Sequence, residues 1–262
     1  MTMRRTFTAA AIAASTLALS PSLLAADFEW KGRLAAGRTL EIKGVNGSIE
    51  AQPASSGEIE VTARKTARRS DPESVEIEVV EHAEGVTICA VYPTPAGSSR
   101  ENACASGGGG RMSTRDNDVK VDFTVRVPAG VKFAGSTVNG EIDAGPLDAD
   151  AELQTVNGSI RASSKGIVRA ETVNGSIDAR MGRADWTGDL ELQTVNGSVT
   201  VELPASASAD VTAKTVNGDI ETDFPLTVRG RISRRSVSGT IGGGGRSLEI
   251  ETVNGGIRLR KQ

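Results

Sequence analysis

The residues able to do chemistry are few. The 262-residue chain has one histidine, His82, and two cysteines, Cys89 and Cys104. Imidazole-based acid–base or nucleophilic catalysis therefore has a single candidate, which lies between Glu81 and Glu84 in a predicted turn. No GxSxG elbow, SxxK, HExxH or phosphate-binding P-loop occurs, and Gly242 to Gly245 is followed by Arg246 and Ser247 without the lysine a P-loop needs. That glycine run reads as a flexible turn. One histidine and no CxxC also leave no thiol–imidazole set for a transition metal.

Carboxylates are the remaining candidates. Asp143, Asp178 and Glu221 each stand four residues after a recurring asparagine, so they could align as an acidic stripe of the sort that serves glycoside chemistry. Arg161 and Thr200 hold the same place in intervening copies, which interrupts the stripe and makes a solvated strand face the better reading. Only Trp30, Trp186 and Tyr92 could act as aromatic platforms for a sugar. Asp116, Asn117 and Asp118 could touch Ca²⁺ but lack an EF-hand frame. Clusters at Arg64, Lys65, Arg68 and Arg69, and at Arg231, Arg234 and Arg235, could meet anionic glycans or head groups, and read as solvated surface. No catalytic, cofactor-binding or metal-ligating residue is expected.

What must position these side chains is a repeat. TVNG occurs at 137–140, 155–158, 172–175, 194–197, 215–218 and 252–255, with a degenerate SVSG at 236–239 and an outlying GVNG at 44–47. Around Asn196, Leu190, Leu192 and Thr194 alternate with polar residues, and beyond Gly197 so do Val199, Val201 and Leu203. Both halves read as half-buried strands. The inward set changes from even to odd numbers across Asn-Gly, so the chain must bend there. Asn and Gly tolerate the positive φ a tight corner selects. The expected structural corners are Asn139, Gly140, Asn157, Gly158, Asn174, Gly175, Asn196, Gly197, Asn217, Gly218, Asn254 and Gly255. Four Asn-Gly-Ser sequons, at Asn46, Asn157, Asn174 and Asn196, read as incidental, because the other corners keep Asn-Gly and lose the serine.

Two all-β architectures share this grammar. In an antiparallel meander each Asn-Gly is a hairpin turn, pairing Leu192 with Val201 but also Glu191 with Glu202. In a β-solenoid it is a corner, and stacked coils form Thr and Asn ladders. The solenoid is favoured because it avoids the like-charge pair and explains why whole units recur. Aromatics are 3% of residues, which suits a thin core of small and β-branched side chains.

Upstream, strand-like runs at 40–43, 58–63, 75–80, 86–91 and 119–127 lack the repeat and give an irregular β start. Residues 94–118 form a polar, Gly-rich loop. Cys89 and Cys104 flank its base and are expected to be joined, closing a loop worth about 3 kcal/mol in the chain-entropy model.

The first residues read as an address. Arg4 and Arg5, an apolar run from 9 to 19, Pro21, and Ala25 and Ala26 have the order of a secretory signal peptide. The expected organisation is a leader at 1–26 and one β-repeat domain at 27–262, irregular over 27–130 and coiled over 131–262. Removing the leader takes two arginines from 30 basic residues against 33 acidic ones, so the charge becomes 28 − 33 = −5. Nucleic acid is then a poor partner, and no later run reaches the roughly 20 apolar residues of a membrane span.

These residues resemble the bacterial putative-adhesin family of β-strand repeat proteins, a domain of unknown function. The resemblance rests on the TVNGSI-like units, on VTICAVYP at 86–93 and on VDFTVRVPAGVKF at 121–133 leading into the first TVNG. It implies an extracytoplasmic β-helix-like fold and brings no catalytic residues. The resulting expectation is an exported, non-enzymatic envelope protein, periplasmic or at the cell surface, without cofactor, that presents a repeat surface to an envelope glycan or protein. The alternatives are a polysaccharide-active β-helix enzyme and an accessory to envelope-stress signalling. A carboxylate pair beside an exposed aromatic would favour the first alternative, and an exposed sheet edge or an uncapped final coil would favour protein assembly.

Overall fold

The structure is a computed structural model, and it describes residues 27–228, 233 and 235–262. The expected leader and Arg231 and Arg234 lie outside the described residues.

The chain begins with β1 (Phe28–Gly32), β2 (Thr39–Lys43), β3 (Ile49–Pro53) and β4 (Ile59–Thr66). A 3-10 turn at Pro72–Ser74 leads to β5 (Glu76–His82), β6 (Gly85–Val91) and, after the long loop, β7 (Lys120–Val127). The repeat supplies β8 (Lys132–Ser136), β9 (Ile142–Leu147), β10 (Ala151–Gln154), β11 (Ile160–Ser164), β12 (Val168–Glu171), β13 (Ile177–Met181), β14 (Asp189–Asn196), β15 (Val199–Leu203), β16 (Ala209–Asn217) and β17 (Ile220–Thr222). Then come β18 (Thr227–Val228), β19 (Ser236–Ile241), β20 (Ser247–Asn254) and β21 (Ile257–Lys261).

These strands form two sheets, of 10 and 11 strands. Within each coil one strand belongs to the 11-stranded sheet, the chain turns at Asn-Gly, and the next strand belongs to the 10-stranded sheet. The coil-to-coil pairings are parallel. Leu192 of β14 pairs with Ala170 and Ile250, and Val201 of β15 with Ala179 and Leu259, rather than with each other. The meander is thereby excluded and the fold is a β-solenoid. Alternation decides it physically: around Asn196 the even-numbered Leu190, Leu192 and Thr194 before the corner and the odd-numbered Val199, Val201 and Leu203 after it are all buried, so only a chain that changes sheet at Asn-Gly can bury both sets.

The core is thin, as the composition implies. The 10-stranded sheet contributes Ile49 and Ala51, Ile142 and Ala144, Ile160 and Ala162, and Ile177 and Ala179 from successive coils, facing Leu40, Phe133, Leu153, Val168, Leu190 and Leu192. A large residue followed by alanine two positions on lets the sheets approach without a thick aromatic filling.

Two expectations need correction, and the stacking order adds a third point. The GVNG at 44–47 is no outlier, because β2 and β3 form a full coil paired in parallel with β8 and β9. What separates this coil in sequence is an excursion through β4 to β7, whose β6 and β7 stack on it in turn while β5, β4 and β1 add antiparallel strands that close that end. SVSG at 236–239 is not a corner: it lies in β19, which runs antiparallel to β16 with Ser238 opposite Thr212. Finally, chain order is not stacking order. The coil of β20 and β21 sits between that of β14 and β15 and that of β16 and β17, so Asn254 stacks between Asn196 and Asn217.

Candidate functional site

Each position of TVNG has a separate job in the stack. The threonine is buried and donates its hydroxyl to the glycine carbonyl of the neighbouring coil: Thr155 to Gly140 at 3.0 Å, Thr172 to Gly158 at 2.9 Å, Thr194 to Gly175 at 2.8 Å and Thr252 to Gly197 at 2.8 Å. The asparagine amides join into one ladder. Asn139 donates to Asn46, Asn157 to Asn139, Asn174 to Asn157 and Asn196 to Asn174, each Nδ2–Oδ1 distance being 2.8 Å. Asn254 continues it to Asn196 at 2.7 Å, and Asn217 ends it on Asn254 at 2.8 Å.

Glycine is required here for a second reason beside the expected one. Positive φ holds at three of the seven corners, Gly47 at 134°, Gly197 at 159° and Gly255 at 158°, and no corner asparagine has positive φ. The second constraint is close approach. A Cβ on Gly158 would stand 2.0 Å from the carbonyl oxygen of Gly140, one on Gly175 2.0 Å from that of Gly158, and one on Gly197 2.0 Å from that of Gly175. The serines of the sequons are rungs as well, with Ser159 and Ser176 Oγ accepting from the backbone N–H of Ser176 and Ser198 at 3.2 and 3.1 Å.

The valine between Thr and Asn points outward. Val138, Val156, Val173, Val195, Val253 and Val216 are 37 to 53% exposed and are the large apolar side chains most open to solvent among the described residues. They form an apolar row beside the asparagine ladder, one side chain from each TVNG coil, while Val45 of the GVNG coil is buried. Sequence reading missed this row, although its signal was present: in each copy valine falls on the outward phase of the alternation.

A second feature lies on the outer face of the 11-stranded sheet. The disulfide between Cys89 and Cys104, with Cα atoms 5.7 Å apart, ties the long loop to β6 and lays its glycines over β2. Lys43 Nζ reaches the loop carbonyls of Ala105 at 2.7 Å, Gly109 at 3.3 Å and Gly107. Farther along, Asn102 Nδ2 donates to the carbonyls of Tyr92 at 2.9 Å and Ser113 at 2.8 Å, fixing the loop base. The result is an open groove of about 620 Å³ walled by Glu41, His82, Glu84, Gly107, Glu152 and Gln154 among others.

Within it His82 Nε2 is 3.0 Å from Thr87 Oγ1 and Nδ1 is 3.3 Å from Glu84, which superficially repeats a nucleophile–base–acid series. Thr87, however, is fully buried and gives its proton to Glu41 at 2.7 Å, and the same Glu41 oxygen accepts the N–H of Gly107 at 3.0 Å. The hydroxyl is thus committed and inaccessible. The His82 hydrogen bond holds the Glu84 carboxyl below its ordinary range. This set is a bracket joining the β5–β6 hairpin, β2 and the loop.

The other sequence candidates separate. Asp143, Arg161, Asp178, Thr200, Arg258 and Glu221 are consecutive neighbours across the 10-stranded sheet, so the acidic stripe is broken by two arginines, and Arg258 pairs with Glu221 at 3.6 Å. Trp186 is buried with Nε1 donating to Ser247 O at 2.8 Å, Tyr92 is buried with its hydroxyl donating to Val119 O at 2.7 Å, and the Trp30 ring folds over Gly32. None of the three lines the groove. Asp118 accepts the backbone N–H groups of Ser70 at 2.8 Å and Arg69 at 3.3 Å, and these bonds, Ser70's foremost, lower its pKa from 3.8 to about 2. Asn117 instead bonds Ser74 and Val119, so Asn117 and Asp118 are each committed to separate protein partners.

No curated protein matches this chain. Among solved structures, a "putative cell adhesion protein" from Clostridium sporogenes ATCC 15579 is similar at 12% identity and a TM-score of 0.44, over 90% of this chain and 99% of the other. A "putative adhesin" from Bacteroides fragilis NCTC 9343 is similar at 12% identity and a TM-score of 0.33, over 88% and 96%. Residues 104–260 match the family described as Toastrack DUF4097, and they span more than half of the sequence. The ladder of stacked coils is therefore the framework of a Toastrack protein, and the chain belongs to the Toastrack DUF4097 family.

Proposed function

We propose that this protein is exported, loses residues 1–26, and acts as a single β-repeat unit over 27–262 that binds a partner in the cell envelope without catalysing a reaction. The observation that carries this reading is the outward valine row. Placing Val138, Val156, Val173, Val195, Val253 and Val216 in register gives a continuous apolar strip on an otherwise charged surface, and such strips mark interaction sites. The row on one side is the hydrogen-bonded asparagine amides, that on the other the buried threonine hydroxyls, and sheet edges are short or charged: β17 has three residues and carries Glu221, and β5 carries Glu76, Glu78 and Glu81. Partner recognition along the corner fits this better than recognition through a free edge. A surface that is both apolar and amide-lined suits a protein or glycan of the envelope, and the disulfide suits an oxidising compartment.

Pull-down from native envelope with the wild type and with the double variant Val173→Asn, Val195→Asn tests the proposal. These side chains are solvent-exposed, so stability should stay within about 0.5 kcal/mol while capture falls. Unchanged capture by the well-folded variant would remove the corner from the binding surface. N-terminal sequencing of exported protein tests the leader, with Asp27 as the expected first residue.

A further inference from the structure

The chain contains seven Asn-Gly steps, the dipeptide in which a backbone nitrogen most readily attacks the preceding side-chain amide. We propose that Asn217–Gly218, the last rung of the ladder, is a site of spontaneous deamidation, and that the other corners are protected by the stacking itself.

The reaction is intramolecular. The Gly218 nitrogen loses its proton to solvent base and bonds to Asn217 Cγ, the Cγ–Nδ2 bond breaks, and Nδ2 leaves as ammonia after taking up a proton. Water then opens the five-membered imide at one of its two carbonyls, leaving aspartate or isoaspartate. No redox partner is involved. The attacking nitrogen must be free of its hydrogen-bond acceptor, because a bonded N–H is less acidic and is held away from Cγ.

That condition differs along the ladder. The attacking N–H groups of six corners are occupied: Gly47 donates to Asn139 O at 2.9 Å, Gly140 to Asn157 O at 3.0 Å, Gly158 to Asn174 O at 2.9 Å, Gly175 to Asn196 O at 2.9 Å, Gly197 to Asn254 O at 3.0 Å and Gly255 to Asn217 O at 3.0 Å. Each bond runs to the next coil. The coil of β16 and β17 has no next coil on the 10-stranded side, since β17 ends that sheet, and Gly218 N has no acceptor among the described residues. Among the described residues Asn217 Oδ1 likewise receives no amide, whereas the Oδ1 atoms of Asn46, Asn139, Asn157, Asn174, Asn196 and Asn254 each accept one. Exposure does not explain the difference, because Asn139, Asn157, Asn174, Asn196 and Asn254 are as exposed in class as Asn217. Either product would remove the Nδ2 donor that Asn217 gives to Asn254, and isoaspartate would add a backbone atom between β16 and β17.

The test is incubation of the leader-free protein in mildly alkaline buffer, followed by peptide mapping that resolves Asn, Asp and isoAsp at each corner. A parallel sample is held in denaturant. In denaturant the corners should convert at similar rates. In the folded protein Asn217 should convert at least about tenfold faster than Asn157, Asn174 or Asn196, the factor that about 1.4 kcal/mol of added barrier supplies. Equal rates at Asn217 and the interior corners of the folded protein would overturn the proposal, and so would an Asn217 that stays intact while the denatured sample converts.

Discussion

Replacing Gly197 by alanine puts a side chain into the close approach between coils, at a φ of 159° that itself disfavours one. The new Cβ would stand 2.0 Å from the Gly175 carbonyl oxygen and 2.5 Å from its carbon. A tolerable C···O contact is about 3.4 Å, so the coils must part locally by roughly 1.4 Å. The atoms in the way are backbone, held by Gly175 N–H donating to Asn196 O at 2.9 Å and by Thr194 Oγ1 donating to Gly175 O at 2.8 Å. Overpacking of this kind costs about 1–3 kcal/mol, and losing one or two bonds adds about 1 kcal/mol each. At a φ of 159° alanine gains nothing from stiffening the unfolded chain, so the net loss is about 2–5 kcal/mol. Asn196→Ala removes its amide bonds to Asn174 and Asn254, but water reaches those exposed groups, so its loss should be about 1 kcal/mol. Gly57 has nothing within 4 Å of its added Cβ and no left-handed φ, so Gly57→Ala serves as control and should be neutral or slightly stabilising. Urea unfolding followed by circular dichroism measures all three. A Gly197→Ala protein as stable as wild type, or more stable than Asn196→Ala, would refute the close-approach argument.

Further outcomes follow from the same geometry. Thr194→Val keeps the shape but strips the buried donor from the half-buried Gly175 carbonyl, and urea unfolding should show a loss of about 1–2 kcal/mol, partly restored in Thr194→Ser. Cys89→Ser with Cys104→Ser should lower stability by about 3 kcal/mol or less, and amide exchange should quicken across 103–111. Lys43→Met, which withdraws the ammonium from the carbonyls of Ala105, Gly107 and Gly109, should quicken exchange in the same segment with the disulfide intact. Asp118 has its folded pKa depressed from 3.8 to about 2, so its contribution is present above about pH 4 and is lost as pH falls through 2. Exchange at the Arg69 and Ser70 amides, measured across that interval, should rise in the wild type and be raised throughout in Asp118→Asn.

Local pattern made much of this protein legible. The switch of inward phase across Asn196–Gly197 demanded a change of sheet, and the recurrence of TVNG demanded stacking, because period-two burial and repetition are properties of neighbouring residues. The pair Cys89 and Cys104 could be joined on the same footing, and the broken acidic stripe could be read because Arg161 and Thr200 occupy fixed places in their copies. Tertiary structure alone decided what depends on which coil lies beside which. The displacement of Asn254 to a place between Asn196 and Asn217, the membership of Asn46 in the ladder, and the use of SVSG as an antiparallel strand all turn on pairings between distant segments that no local period encodes. The bracket of His82, Thr87, Glu41 and Gly107 is of the same kind, since its members come from a hairpin, a central strand and a loop. Even the glycine of Asn-Gly owes its necessity to the stack: its backbone angles are open to other residues at most corners, and what forbids a side chain is the carbonyl of the next coil about 2 Å from where a Cβ would sit.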